Sequence, residues 1–149
     1  MLEFGWINLF GAVIVTVMLI PNIVYALRTK DSVNKCKSRI MNLTEQIGRY
    51  GCMTLMWLPL LVWKFGFLNV EEMLVYVVGN LGLTVAYIII WIPYFKRKTL
   101  GKAIALAVIP TCIFLLSGLL LRHWLLVLAA LLFGMGHIYI TYQNHADLK

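Results

Sequence analysis

Apolar and polar positions along this chain fall into long blocks. A helix crossing the roughly 30 Å of membrane hydrocarbon needs about 20 mainly apolar residues, and five blocks meet that length: residues 4–27, 48–67, 73–95, 103–121 and 124–142. The second is preceded by a polar first turn that begins near Asn42. The last two would run together but for Arg122 and His123 in "LLRHWLL". A turn at the water interface is the cheaper reading there, because an arginine at mid-membrane costs about 2.5–3.5 kcal/mol. The pattern predicts an all-α, polytopic integral membrane bundle of five transmembrane helices, forming a single domain over residues 1–149.

Charge sets the expected orientation. The loop after the first block carries Arg28, Lys30, Lys35, Lys37 and Arg39 against Asp31, and the loop after the third carries Lys96, Arg97, Lys98 and Lys102. The opposite side has Lys64 and Arg122 beside Glu3, Glu71 and Glu72. Basic loops stay on the cytoplasmic side, so the N-terminus is expected outside and the C-terminus in the cytoplasm. Trp6, Trp63, Trp91 and Trp124 lie near block ends, as interfacial anchors do.

Composition agrees with the lipid bilayer as the main partner. Hydrophobic residues make up 62% of the 149 and charged residues 13%, against about 45–50% and 25% in soluble domains. The net charge of +7 is divided among loops by apolar blocks, which argues against a nucleic-acid surface. Cys36, Cys52 and Cys112 are odd in number and lack C-x-x-C spacing, so neither a disulfide framework nor a zinc site is expected. The first block has no basic n-region and exceeds the length of a signal-peptide core, so it should remain as a span. The sequon "NLT" falls on the expected cytoplasmic side, where it has no meaning.

Polar side chains inside lipid are expensive and mark functional candidates. With this topology they gather in the cytoplasmic half: Asn22 and Tyr25 on the first span, Glu45, Gln46, Arg49 and Tyr50 on the second, His137, Thr141 and Asn144 on the fifth. Asn80, near the middle of the third span, and Asn8 stand apart. The asymmetry predicts a polar pocket open to the cytoplasm.

Several of these residues admit two readings. Asn42 followed three residues later by Glu45 has the spacing of a capping box, and Glu45 and Arg49, at i and i+4, can pair on one helix face. Either the pair is a helix beginning at the headgroups, or it turns inward, where Arg49 holds an anionic group and Glu45 orients it or carries a proton. Gly48 and Gly51 in "GRYG" would let a neighbouring helix approach there. Asn80 in "GNLG" wants a cross-helix partner or a substrate, and His137 wants a hydroxyl partner or a place in a proton relay. Pro21, Pro93 and Pro110 should bend their spans, and Pro59 is placed within the second. No H-E-x-x-H, G-x-S-x-G, P-loop or paired-acid pattern occurs. No catalytic residue, metal or cofactor is assigned, and a non-enzymatic role is expected.

The stretches "LIPNIVYALRTK" and "VVGNLGLTVAYIIIWIPYFKRK" give residues 9–98 a resemblance to the three-helix unit of the PQ-loop and SemiSWEET transporters. Asn22 stands where that family has glutamine, and two further spans follow. The resemblance implies a small-solute transporter in which Pro21 is a hinge and Asn80 contacts substrate. The whole chain also looks like small multi-pass proteins of bacteria, which implies the plasma (inner) membrane. The expected function is to bind or transport a small polar or amphipathic solute through Pro21, Asn22, Glu45, Arg49, Asn80 and His137. The alternative is a non-transporting accessory, lipid-binding or regulatory subunit of a larger complex. A chain of this size encloses little pathway, so a homodimer or membrane partner is expected, with Gly79, Gly82, Gly134 and Gly136 as places of close helix approach.

Overall fold

A computed structural model describes residues 2–3, 7–29, 34–62 and 65–148. Trp6, Lys30, Asp31, Trp63 and Lys64 of the sequence reading lie outside them. The described residues form five helices: α1 (Leu9–Arg28), α2 (Arg39–Trp57), α3 (Val70–Lys96), α4 (Leu100–Leu120) and α5 (Trp124–His145). A two-residue strand, β1 (Leu2–Glu3), pairs antiparallel with β2 (Gly66–Phe67). The helices run alternately between two poles. At one pole the ends of α1, α3 and α5 meet the starts of α2 and α4 among the basic residues. Tyr94 donates its hydroxyl to Nε2 of His145 at 2.8 Å, and Lys35 Nζ bonds Asp147 at 2.6 Å. The Lys35 ammonium also holds the Asp147 carboxyl below its usual range.

Four helices, α1, α3, α4 and α5, are long and apolar enough to cross a membrane. Their burial pattern is the reverse of a water-soluble bundle. On α3 the buried face carries Tyr76, Asn80, Thr84 and Tyr87, while Leu74, Val78, Leu81, Val85 and Ile92 are exposed. Water would turn that helix around; a hydrocarbon solvent favours it as it stands, since Tyr76, Asn80 and Tyr87 then find hydrogen-bond partners inside. This is the architecture of an integral, multi-pass membrane protein.

The second helix differs from its expected span. It begins at Arg39, nine residues before 48, and stops at Trp57, ten before 67. Its N-cap is Ser38, whose hydroxyl accepts from Met41 N at 3.3 Å, so the Asn42–Glu45 capping box is not formed. Asn42 instead lies inside the helix and donates to the carbonyls of Cys36 and Ser38 at 3.1 and 3.0 Å. The stop follows from Pro59, because the residue before a proline avoids the helical region; Leu58 is extended, with φ −110° and ψ 121°. Pro59 therefore lies beyond the helix. The shift brings the polar residues of 39–49 into α2, and it is not among the helices apolar enough to span by composition. It nonetheless runs from pole to pole. Pro21, Pro93 and Pro110 lie inside their helices.

The far pole is fastened by polar contacts. The Asn8 side chain caps α1 by accepting from Gly11 N at 3.0 Å, and its backbone N–H donates to the Trp57 carbonyl at 2.8 Å. Its amide also reaches the Tyr76 hydroxyl at 3.4 Å. One buried residue thus joins α1, α2 and α3. Asn8→Ala should lower stability by about 1–2 kcal/mol, as expected for a lost cap with a buried hydrogen bond, measurable by thermal unfolding in detergent. The Arg122–His123 turn between α4 and α5 is present. Arg122, with φ 54°, clamps both oxygens of Glu72 at 3.1 and 3.2 Å.

His123, in the same turn, is buried and donates Nε2–H to the Leu60 carbonyl at 3.0 Å. Its Nδ1 has no partner among the described residues. Burial, the larger influence, holds the ring below the usual histidine range, against the Leu60 carbonyl, which favours protonation. A base depressed on folding stabilises the fold above its unfolded value, about 6.5, and that contribution is lost as pH falls through the lower folded value. The melting temperature should therefore fall between about pH 7 and pH 5, and fall less in His123→Gln.

Candidate functional site

The site is built where α2 packs on α5. Gly48 faces the backbone of Phe133: a Cβ there would stand 2.3 Å from Phe133 N. Gly136 faces the backbone of Glu45 in the same way, at 2.8 Å from its N and Cα. Each helix thus supplies a glycine to the other's backbone. Further from the basic pole, a Cβ on Gly51 would touch Ala129 at 3.2 Å. This close approach carries Glu45, which would otherwise sit on a helix surface, into the interior.

There the Glu45 side chain is only 6% exposed. Its Oε1 accepts from Nε of Arg49 at 2.8 Å, from Nη2 of the same arginine, and from Nδ1 of His137 at 3.1 Å. The carboxylate fixes the imidazole orientation, and Phe133, one turn before, stacks on the ring at 4.7 Å between centroids and 19° between planes. Arg49 is 43% exposed, and its Nη1 has no partner among the described residues. The arrangement holds a guanidinium rigidly while leaving one of its edges open.

Arg49 and His137 stand between two cavities. The first, of about 140 Å³, is mainly apolar: Met18, Leu19, Met53, Phe114 and Phe133 line it with Asn22 and Tyr87. Asn22 donates Nδ2–H to the Tyr87 hydroxyl at 2.8 Å, joining α1 to α3 across it. The second, of about 330 Å³, is a polar basin bounded by Asn42, Glu45, Gln46, Thr141 and Asn144. Its rim is tied down where Lys35 N donates to Asn144 Oδ1 at 2.8 Å. Arg49 and His137 line both.

Depth agrees across four helices. Asn22 lies six residues before the end of α1, Arg49 ten after the start of α2, Tyr87 nine before the end of α3, and His137 eight before the end of α5. At 1.5 Å per residue these positions sit about 9–15 Å from the basic pole, within one leaflet's thickness.

Of the residues expected from the sequence, Asn22, Glu45, Arg49 and His137 come together here. Pro21 is not part of either lining. Asn80 is fully buried elsewhere: its Nδ2 donates to the Tyr76 carbonyl at 2.9 Å and its Oδ1 accepts from Ser117 at 3.3 Å, an α3–α4 link. Tyr25 packs against Trp91 and Tyr94 and accepts from Lys98 Nζ at 3.1 Å. Among the expected glycines, Gly79, Gly134 and Gly136 are consumed by contacts to Leu116, Thr111 and Glu45 inside the protomer, and Gly82 stands open. Sequence reasoning missed Tyr87 and Phe133. A hydroxyl amid "LTVAYIII" and the i, i+4 spacing of Phe133 to His137 were the available signals.

Among the described residues no three His, Cys, Asp or Glu side chains gather as a metal site requires. No protein-family model matches the chain, and no curated protein or solved structure shows significant similarity to it.

Proposed function

We propose that this chain is a small membrane protein, embedded through all five helices, that binds or carries a small amphipathic solute in a pocket opening at the basic, cytoplasmic pole. The observation that carries the reading is the sharing of Arg49 and His137 by an apolar cavity and a polar basin. Such a junction suits a molecule with an apolar part and a polar end. Ligand sites are usually apolar clefts with a few fixed polar groups, and the guanidinium held by Glu45 is one. Embedding of α2 is supported by Ile40, Leu43 and Ile47, an exposed apolar stripe opposite buried Glu45 and Gly48. Its 19 residues measure about 28 Å. The basic pole supports an inner-membrane orientation with both basic loops in the cytoplasm. The open surface at Gly82 leaves room for a second copy. Neither Pro21 nor Asn80, which the transporter resemblance implicated, is needed.

A second reading, an accessory or regulatory subunit, is favoured by the inner cavity's volume, about 140 Å³, which is below the 300 Å³ or so of ordinary small-molecule pockets. A thermal-stability screen of the purified protein against soluble anions, amino acids, sugars and lipids separates the two. A ligand at 100 times its Kd should add about 2.7 kcal/mol. The proposal expects such a hit to vanish in Arg49→Gln and to survive in Asn80→Ala, which weakens the fold without touching the site. Silence from all ligands, together with co-purification of a partner at fixed stoichiometry, would favour the subunit.

A further inference from the structure

The inner cavity does not end at its apolar wall. A third cavity, of about 310 Å³, adjoins it and shares Val15, Leu19 and Met53 with it. It continues past Thr54 to Trp57 and Leu58, all three of which are exposed. The three cavities together follow one side of α2. Arg49, Met53 and Trp57 lie at i, i+4 and i+8 on one helix face. The eight residues from Arg49 to Trp57 make about 12 Å of path.

The packing of α1 explains why this seam is open. At the far pole α1 is pinned to α2, with Gly11 on the Met56 carbonyl and Asn8 bonded to Trp57. Toward the basic pole α1 leans on α3 instead, through Asn22 to Tyr87 and Tyr25 to Trp91. Between those attachments nothing polar crosses from α1 to α2 among the described residues. The seam is lined by Val15, Leu19 and Met53, with Trp57 and Leu58 at its mouth.

The geometry points to a single-chain anionic amphiphile with its head at Arg49 and His137 and its tail in the α1–α2 seam. This identification rests on the proposed site and adds the ligand's chemical class and the place of its tail. The molecule keeps the head-to-tail direction of lipids in the leaflet at the basic pole but sits deeper than they do: its head lies about 9–15 Å from that pole, and its tail follows α2 on toward Trp57 at the far pole. An anionic head is selected by the open Nη1 of Arg49 and by the basic residues of that pole, since guanidinium binds phosphate and carboxylate strongly even where one edge is already paired. One tail is selected because the seam is bounded by two helices and leads to a single opening.

The test uses the full chain in zwitterionic nanodiscs and dodecyl phosphate carrying a photoreactive diazirine, placed in one probe beside the head and in another at mid-chain. Mapping by mass spectrometry should find the head probe around Arg49, His137 and Asn22, and the mid-chain probe on Leu19, Met53 or Thr54, both saturably. Arg49→Gln should reduce labelling at both positions about tenfold, the loss of one charge-assisted hydrogen bond. Thr54→Trp, at an exposed position that leaves the core intact, should block the mid-chain site and spare that of the head. If the head probe labels the site but the mid-chain probe scatters over lipid-facing positions such as Val78, the tail assignment falls and the pocket stands. If inorganic phosphate alone displaces the head probe as well as unlabelled dodecyl phosphate does, the ligand is a free anion, and the amphiphile is wrong. If neither probe labels near Arg49, the proposed site itself falls.

Discussion

Gly48→Ala and Gly136→Ala are each expected to destabilise the protein by about 3 kcal/mol or more, at the upper end of what overpacking costs. The new methyl in Gly48→Ala would meet backbone, at 2.3 Å from Phe133 N and 2.6 Å from its Cα. In Gly136→Ala it would meet Glu45 Cα and N at 2.8 Å. Backbone has no rotamer to escape into, so α2 and α5 must move apart by about an ångström along their whole contact. Because both glycines serve one interface, the double variant should cost less than the sum. Gly82→Ala provides the contrast: nothing lies within 4 Å of its added carbon, and the helix should gain up to about 1 kcal/mol. Thermal unfolding followed by circular dichroism in one detergent measures all four.

Glu45→Ala is the second large effect, about 2–3 kcal/mol. Removing one partner of a buried ion pair typically costs about 3–5 kcal/mol because the other charge is stranded. Arg49 reaches the basin and is 43% exposed, so solvent recovers part of that. Glu45→Gln keeps an oxygen for the imidazole N–H and should cost about 1 kcal/mol less than alanine. The variants also separate structure from site. Once Glu45 is alanine, His137→Gln should add little, giving a coupling of roughly 1 kcal/mol in a double-mutant cycle. Independent costs would mean that the 3.1 Å contact contributes nothing to stability.

The chain's class was legible in its sequence because lipid imposes one rule on every span. Long apolar blocks matched α3, α4 and α5 to within three residues at each end and α1 to within five, and the Arg122–His123 break falls between α4 and α5. The second helix was misread because hydropathy marks where a chain is apolar, whereas helix ends are decided locally. Ser38 offered a hydroxyl to Met41 N, and Pro59 forced Leu58 to be extended. The shared depth of Glu45 and His137 was legible, but their direct contact was not, since 92 residues separate them and the reciprocal glycines bring them together. Asn80 shows the opposite difficulty: an intramembrane amide announces a partner, and nothing in "GNLG" says that the partner is Ser117.

A polar basin and an apolar cavity meet at Arg49 and His137. The substitution His137→Cys tests it directly, in a background with Cys36 and Cys112 replaced by serine and Cys52 retained, since Cys52 is fully buried. In sealed vesicles of defined orientation, a small membrane-impermeant thiol reagent is added to one side at a time. The introduced thiol should label from the side bearing the basic loops, and the anion or amphiphile which stabilises the wild type should slow the labelling. Labelling from the opposite side, or by lipid-soluble reagents alone, would contradict that arrangement.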